Sequence, residues 1–563
     1  MKRYRLLFFI FIALGMASCT DDFVEINKNP DAIVKEEASA RYFVTDPQYQ
    51  LYAPDRYPYW RAHLIHTDRY AGYFTFGFNG CWWSDELGYS YHSAYTDATW
   101  DWMSGYFGRI DNFLKLTDTG GDFQNELMHA TGKIIKTLYY QMYTDLFGDI
   151  PYSEAGVEGI VTPKYDEQKD IYQGVISELD EAMATIGDHT KTGEGIDDLG
   201  ENDLYFNGDL TKWKKLANSH KLRMALRAFG AIGADFAGPA ITAALNNGLF
   251  LENESDNCIM EKDNVISQWS SAAYGDVWHN FGLGSNWHVG QPLVDNLRNN
   301  NDPRLEKYAV PAAGGVIDLI RPAEDPGKSL FDKHVDFVTQ ALTDAGVDFT
   351  QTVDADTVTI DMPENLYYVG QPVRMGGDIY SYIRYEFFSE PAPEIIARKN
   401  SGTDMWDEII MTTAEVYFLR AEAALKGFSA GDAQSLYQDG IRHAMKLWGV
   451  SDGDIENFIS TEDMALLNGT AEENLEKIAI QRWLACYTDG FEGWAIARKS
   501  GYPGELTQTL TDPEIYGLGD INGLYPERLR YGSNVQNQDP ENYNIVIARQ
   551  GPDRQDTKLW WAK

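Results

Sequence analysis

The stretch Asp122–Tyr152, DFQNELMHATGKIIKTLYYQMYTDLFGDIPY, constrains the fold more than any other part of the chain. Leu127, Thr131, Ile134, Leu138 and Met142 recur at helical spacing and line one face, and Met128, Ile135, Tyr139 and Leu146 add an adjoining stripe. An apolar face this wide needs several partners, so the helix is expected to act as scaffold against more than one neighbour. Asp122 is placed to cap its first turn, and Gly148 followed by Pro151 to end it.

The N-terminus reads as an address. Lys2, Arg3 and Arg5 precede an uninterrupted apolar run from Leu6 to Leu14, then small residues up to Ser18. The run is too short to span a bilayer and has signal-peptide architecture. Residues 1–18 are expected to be the signal peptide, residues 19–41 a polar tether, and residues 42–563 one large ligand-binding domain, because no Pro- or Gly/Ser-rich linker divides the body. Met16-Ala17-Ser18-Cys19 resembles a bacterial lipobox. That resemblance makes Cys19 the lipidation site, with several acyl chains giving durable membrane anchoring.

Composition narrows the function. A net charge of −38 argues against nucleic acid and anionic lipid head groups as partners. With 15 Trp and 34 Tyr, the chain has more rings than a core needs. Many fall in two helix-poor segments. The first is YAGYFTFGFNGCWWSDELGYSYHSAY (70–95), broken by Gly72, Gly77, Gly80 and Gly88; the second is NVISQWSSAAYGDVWHNFGLGSNWHVG (264–290). Flat rings on loops stack against the C–H face of a pyranose while neighbouring polar groups bond its hydroxyls. The alternatives are loops tucked onto the core or a surface for a protein partner.

Catalytic motifs are scarce. Gly427-Phe428-Ser429-Ala430-Gly431 matches a nucleophile elbow, but that motif needs a strand before it, and here a helical pattern precedes it. His63 and His66 lie three apart with no third ligand indicated, so they are expected to pack. No zinc-protease helix motif, P-loop or dinucleotide fingerprint occurs. The four cysteines form no CxxC pair, and a Cys81–Cys258 bridge has nothing in the sequence to support it. No cofactor is expected, although the surplus carboxylates could hold a structural calcium ion.

Further helices are expected over 100–116, 165–186, 210–229 and 476–498, the last broken at Asp489-Gly490. Thr413 to Met445 fits a 34-residue helical-hairpin repeat, with Ala421, Ala433 and Gly440 as the small contact residues. Between Leu305 and Tyr368 lies a polar insert with one alternating run, Thr357–Met362, expected as an edge strand.

Several of these segments together resemble the SusD/RagB family of outer-membrane nutrient-binding lipoproteins. They are Asn27-Lys28-Asn29-Pro30, WDWMSGYFGRIDNFLKL, LYYQMYTDLFGDIPYSEA, LTKWKKLANSHKLRMALRAF, Asp302-Pro303-Arg304-Leu305, Tyr368-Val369-Gly370-Gln371-Pro372 and EKIAIQRWLACYTDGFEGWAIAR. The resemblance implies a mainly α fold: tetratricopeptide-like helical hairpins form a scaffold, with long irregular loops and a few short strands on one side. It implies a non-catalytic, lipid-anchored protein on the outer-membrane surface, to which Thr20-Asp21-Asp22 would direct it. Such a protein captures oligosaccharide as the lid of a SusC-like TonB-dependent barrel. In that family the ligand platform combines aromatics from distant loops, which places Trp82, Trp83, Tyr274, Trp278 and Trp287 in the ligand-binding set. A peptide-binding RagB-like lid and a secreted glycoside hydrolase are the alternatives.

Overall fold

The computed structural model describes residues 38–54, 56–76, 89–262, 287–376, 379, 384–397, 402 and 404–563. Cys19 and Cys81 lie outside them. Among the described residues no helix is long and apolar enough to cross a membrane.

The fold is mainly α. After a short strand, β1 (Phe74–Phe76), come α1 (Ser93–Thr117), α2 (Glu126–Phe147), β2 (Ile150–Pro151), β3 (Tyr165–Asp166), α3 (Gln168–Ile186), α4 (Leu210–Ala228) and α5 (Ala237–Asn247). The middle of the chain holds β4 (Cys258–Met260), β5 (Trp287–Val289), α6 (Gln291–Asn299), β6 (Gly315–Ile320), α7 (Gly327–Asp344), β7 (Thr350–Asp354), β8 (Thr357–Met362) and β9 (Glu408–Met411). The C-terminal third returns to helices: α8 (Thr413–Leu425), α9 (Ala433–Leu447), α10 (Asp452–Thr461), α11 (Ala471–Ala485), α12 (Gly490–Ser500) and α13 (Pro540–Gln550).

α2 is the central helix that the periodicity predicts. Both stripes are buried, and α1, α3 and α4 pack around it. Its start differs from the expectation: Asn125, not Asp122, caps it, accepting from the Leu127 and Met128 amides at 3.1 and 3.0 Å. Gly148 ends it at φ +90°, a conformation that favours glycine. The C-terminal tail closes over this end, where the Leu529 amide donates to the Leu146 carbonyl at 2.8 Å. Trp100 is wedged among Tyr143, Phe147 and Tyr531 at 5.0–5.5 Å, a packing role as expected.

α8 and α9 form the expected hairpin. Gly440 meets Phe418 so closely that an added Cβ would lie 2.6 Å from the ring. Ala421 is buried, whereas Ala433 is the first residue of α9 and only half-buried. Ser429 sits in the turn between these helices with no strand before it, so the elbow motif is a hairpin turn.

Where α2, α4, α8, α11 and α12 converge, the core holds charges. Arg223 forks onto Glu415, and Arg227 bridges Asp145 at 2.5 Å and Glu492. Arg482 reaches Glu492 at 2.5 Å. Arg223 and Arg227 of α4 are thus salt-bridged in the interior. A buried pair offsets its desolvation only with hydrogen-bonded geometry, which this network supplies.

The insert folds as a three-stranded antiparallel sheet, β6-β8-β7, beside α7. β8 is the alternating run, with Val358, Ile360 and Met362 buried. It is the central strand and not the edge, because β6 and β7 supply the flanks that their mixed composition concealed.

Candidate ligand-binding site

β1 and β5 pair antiparallel with Phe76 opposite Trp287 and Phe74 opposite Val289. The chain leaves β1 into residues 77–88 and enters β5 from residues 263–286, so both aromatic-rich segments attach at the same end of one ribbon. The ribbon is fixed from behind. The Val289 amide donates to the Ser389 carbonyl at 3.0 Å and the Gln371 amide to the Val289 carbonyl at 2.9 Å. Thr75 and His288 are fully buried, and His288 stacks on Tyr385 at 5.7 Å.

The other ends are clamped too. Tyr89, where the first segment returns, is buried between two guanidiniums, Arg69 at 4.9 Å and Arg374 at 4.6 Å from its ring. Lys262, where the second begins, pairs in the interior with Glu408 of β9 and lies 5.1 Å from the Tyr59 ring. Its amide donates to Asp407 at 3.2 Å. Burial pushes the Asp407 carboxyl up to about 6 against the pull of that amide and of Lys262, with Glu261 and Glu408 adding like charge.

Of the expected ligand-binding residues, Trp82, Trp83, Tyr274 and Trp278 lie outside the described residues, as does the side chain of Trp287. The structure does place the backbone of Trp287 at the ribbon where the two segments meet.

The sequence reading passed over Tyr57 and Arg61. Tyr57 is exposed, and the Arg61 guanidinium lies 5.2 Å from its ring and 5.2 Å from Tyr95. Trp60–Thr67 is a π-helix, whose wider turns leave no 3.6-residue repeat to read in the sequence there. His63 and His66 pack inside it, and burial pushes both down to about 3, so they stay neutral. His63 stacks on Tyr59 at 4.3 Å.

One acid pair has the divergent pattern seen in hydrolases. Burial pushes Asp489 up to about 8, while Glu492, also opposed by burial, is held below the ordinary range by Arg227, Arg223 and Arg482. The cavity beside them measures about 20 Å³, room for a water and not for a sugar ring. Among the described residues no group of three His, Cys, Asp or Glu side chains could hold a metal.

A family described as "Starch-binding associating with outer membrane" matches residues 36–319 and 368–532. The chain belongs to this SusD-like family. Solved structures agree on the fold. A protein titled chitin-binding protein is 25% identical, with a TM-score of 0.70 over 93% of this chain and 100% of that one. A SusD homolog from Bacteroides uniformis is 21% identical, with a TM-score of 0.70 over 93% and 100%. A SusD-like protein from Bacteroides thetaiotaomicron is 21% identical, with a TM-score of 0.67 over 93% and 98%. The comparison with curated proteins returns no match. The family match skips residues 320–367, most of the insert identified from sequence.

Proposed function

We propose that this SusD-like chain is a non-catalytic surface lipoprotein that binds oligosaccharide and hands it to a TonB-dependent barrel. The observation that carries the reading is the ribbon pairing Phe76 with Trp287, which ties two distant aromatic-rich segments to one rigid edge of a starch-binding family fold. Trp82, Trp83, Tyr274, Trp278 and Trp287 are the proposed stacking residues. Exposed rings bind sugars without any group that breaks a glycosidic bond. The acid pair with divergent titration serves the scaffold, because its cavity is too small for substrate. Proposed processing removes residues 1–18, lipidates Cys19 and leaves residues 19–41 as the tether of the 42–563 domain.

The test incubates the full chain in detergent with a neutral glycan panel and a peptide mixture, followed by product analysis. Glycan binding without turnover is the expected result. Peptide capture without glycan binding, or cleaved glycan, would overturn it.

A further inference from the structure

Away from the aromatic segments, a cavity of about 250 Å³ lies between α7 and the body. α7 falls within the stretch that the family match skips, whereas the opposite wall comes from matched residues. Phe337, Gln340 and Asp344 of α7 line it together with Asp295, Glu505 and Tyr516 of the body.

The walls are held in place. Lys333 bridges Asp512 at 2.8 Å, and the His334 ring nitrogen lies 2.6 Å from the Glu514 carbonyl oxygen. Phe337 meets Tyr516 edge to face at 5.7 Å and 87°. Neither ring is fully buried, so each keeps some surface toward the cavity. The polar groups are oriented as well. Gln340 donates to Asp344 at 2.7 Å, Asn296 donates to Glu505 at 2.6 Å, and Arg298 pairs with Asp295 at 2.7 Å.

Rings beside planar carboxylates and amides are the partners a sugar ring uses: a C–H face to stack and paired hydroxyls to bond. Among the described residues no Lys or Arg lines the cavity, and the Arg298 guanidinium is already paired with Asp295, so a sugar acid would meet carboxylates without a free counter-charge. Its volume is below the roughly 300–1,000 Å³ of sites for drug-sized ligands, which suits one end of a chain.

We infer that this cavity is a second saccharide site, built by the insert, that takes an uncharged sugar unit. It rests on the glycan reading above for its ligand class and uses none of the residues of the first site.

The test is calorimetry on the full chain in detergent with malto- and chito-oligosaccharides and an oligogalacturonate of equal length. Hydroxyl-radical footprinting of Tyr516 and Phe337 accompanies it. Ala341→Trp fills the cavity from α7. The double change Gln340→Ala/Asp344→Ala removes two exposed arms and leaves the core untouched. A neutral oligosaccharide is expected to protect Tyr516 in the wild type, and both variants should lose that protection and about tenfold in affinity at this site. Wild-type glycan binding with Tyr516 unprotected and both variants unchanged would overturn this inference and leave the first site standing. Preference for the oligogalacturonate would overturn it as well. No saccharide binding by the wild type would overturn both.

Discussion

Asp489→Asn tests the electrostatics of the core. Asp489 caps α12, accepting from the Glu492 amide at 3.2 Å. Burial pushes its carboxyl up to about 8, helped by the charges of Glu492 and Glu415 and opposed by Arg223. In the unfolded chain the same group titrates near about 3.9. Between about pH 4 and 8 the folded protein therefore holds a proton that the unfolded chain has released. Stability conferred by this group falls as pH rises through that window and is level above about 8. Each pH unit is worth about 1.4 kcal/mol, so the penalty accumulated by pH 7 is roughly 4 kcal/mol. Asp489 keeps partial solvent contact, which trims the expectation to about 2–3 kcal/mol. Asparagine caps as well as aspartate and does not ionise. The variant should match the wild type near pH 4.5 and gain about 2–3 kcal/mol at pH 7. Urea unfolding of both proteins from pH 4.5 to 8.5 reads this as a difference curve, in which other titrating groups cancel. A flat difference, or a wild type that gains on the variant with rising pH, would refute the reasoning.

Other changes probe separate parts of the account. Glu492→Gln leaves Arg227 and Arg482 short of a buried counter-charge and should cost about 3–5 kcal/mol in urea unfolding. Glu492 is held below the ordinary carboxylate range, so its contribution is present above about pH 4 and should fade as pH falls further. Gly440→Ala would gain up to about 1 kcal/mol in a free helix. Here the new methyl meets Phe418, and an overpacking cost of about 1–3 kcal/mol should win, lowering the midpoint. Lys262→Met strands Glu408 in the interior and should cost about 3–5 kcal/mol, largely recovered by adding Glu408→Leu.

The scaffold was legible because its signals are local. The stripes of α2, the break at Asp489-Gly490 and the small residue at Gly440 are written in spacing and residue size. The cap of α2 was misplaced because Asp122 and Asn125 are both competent caps, and the choice depends on where the preceding turn closes. The insert sheet was read as a lone edge strand because only β8 alternates cleanly; β7 is exposed on both faces and carries no pattern. The charge cluster around Glu492 was invisible, since its members come from helices far apart in sequence. For the proposed ligand site, composition singled out the two aromatic segments, and the structure adds that Phe76 and Trp287 bring their ends to one ribbon. Which of their rings face solvent is something no sequence period encodes.

The most direct measurement is titration calorimetry of the full chain and its Trp82→Ala/Trp278→Ala variant with a neutral oligosaccharide that the wild type binds. Losing two stacking rings should weaken binding at least tenfold, with urea stability unchanged. An unaltered affinity in a folded variant would contradict the proposal that sugar is held on the aromatic segments at the Phe76–Trp287 ribbon.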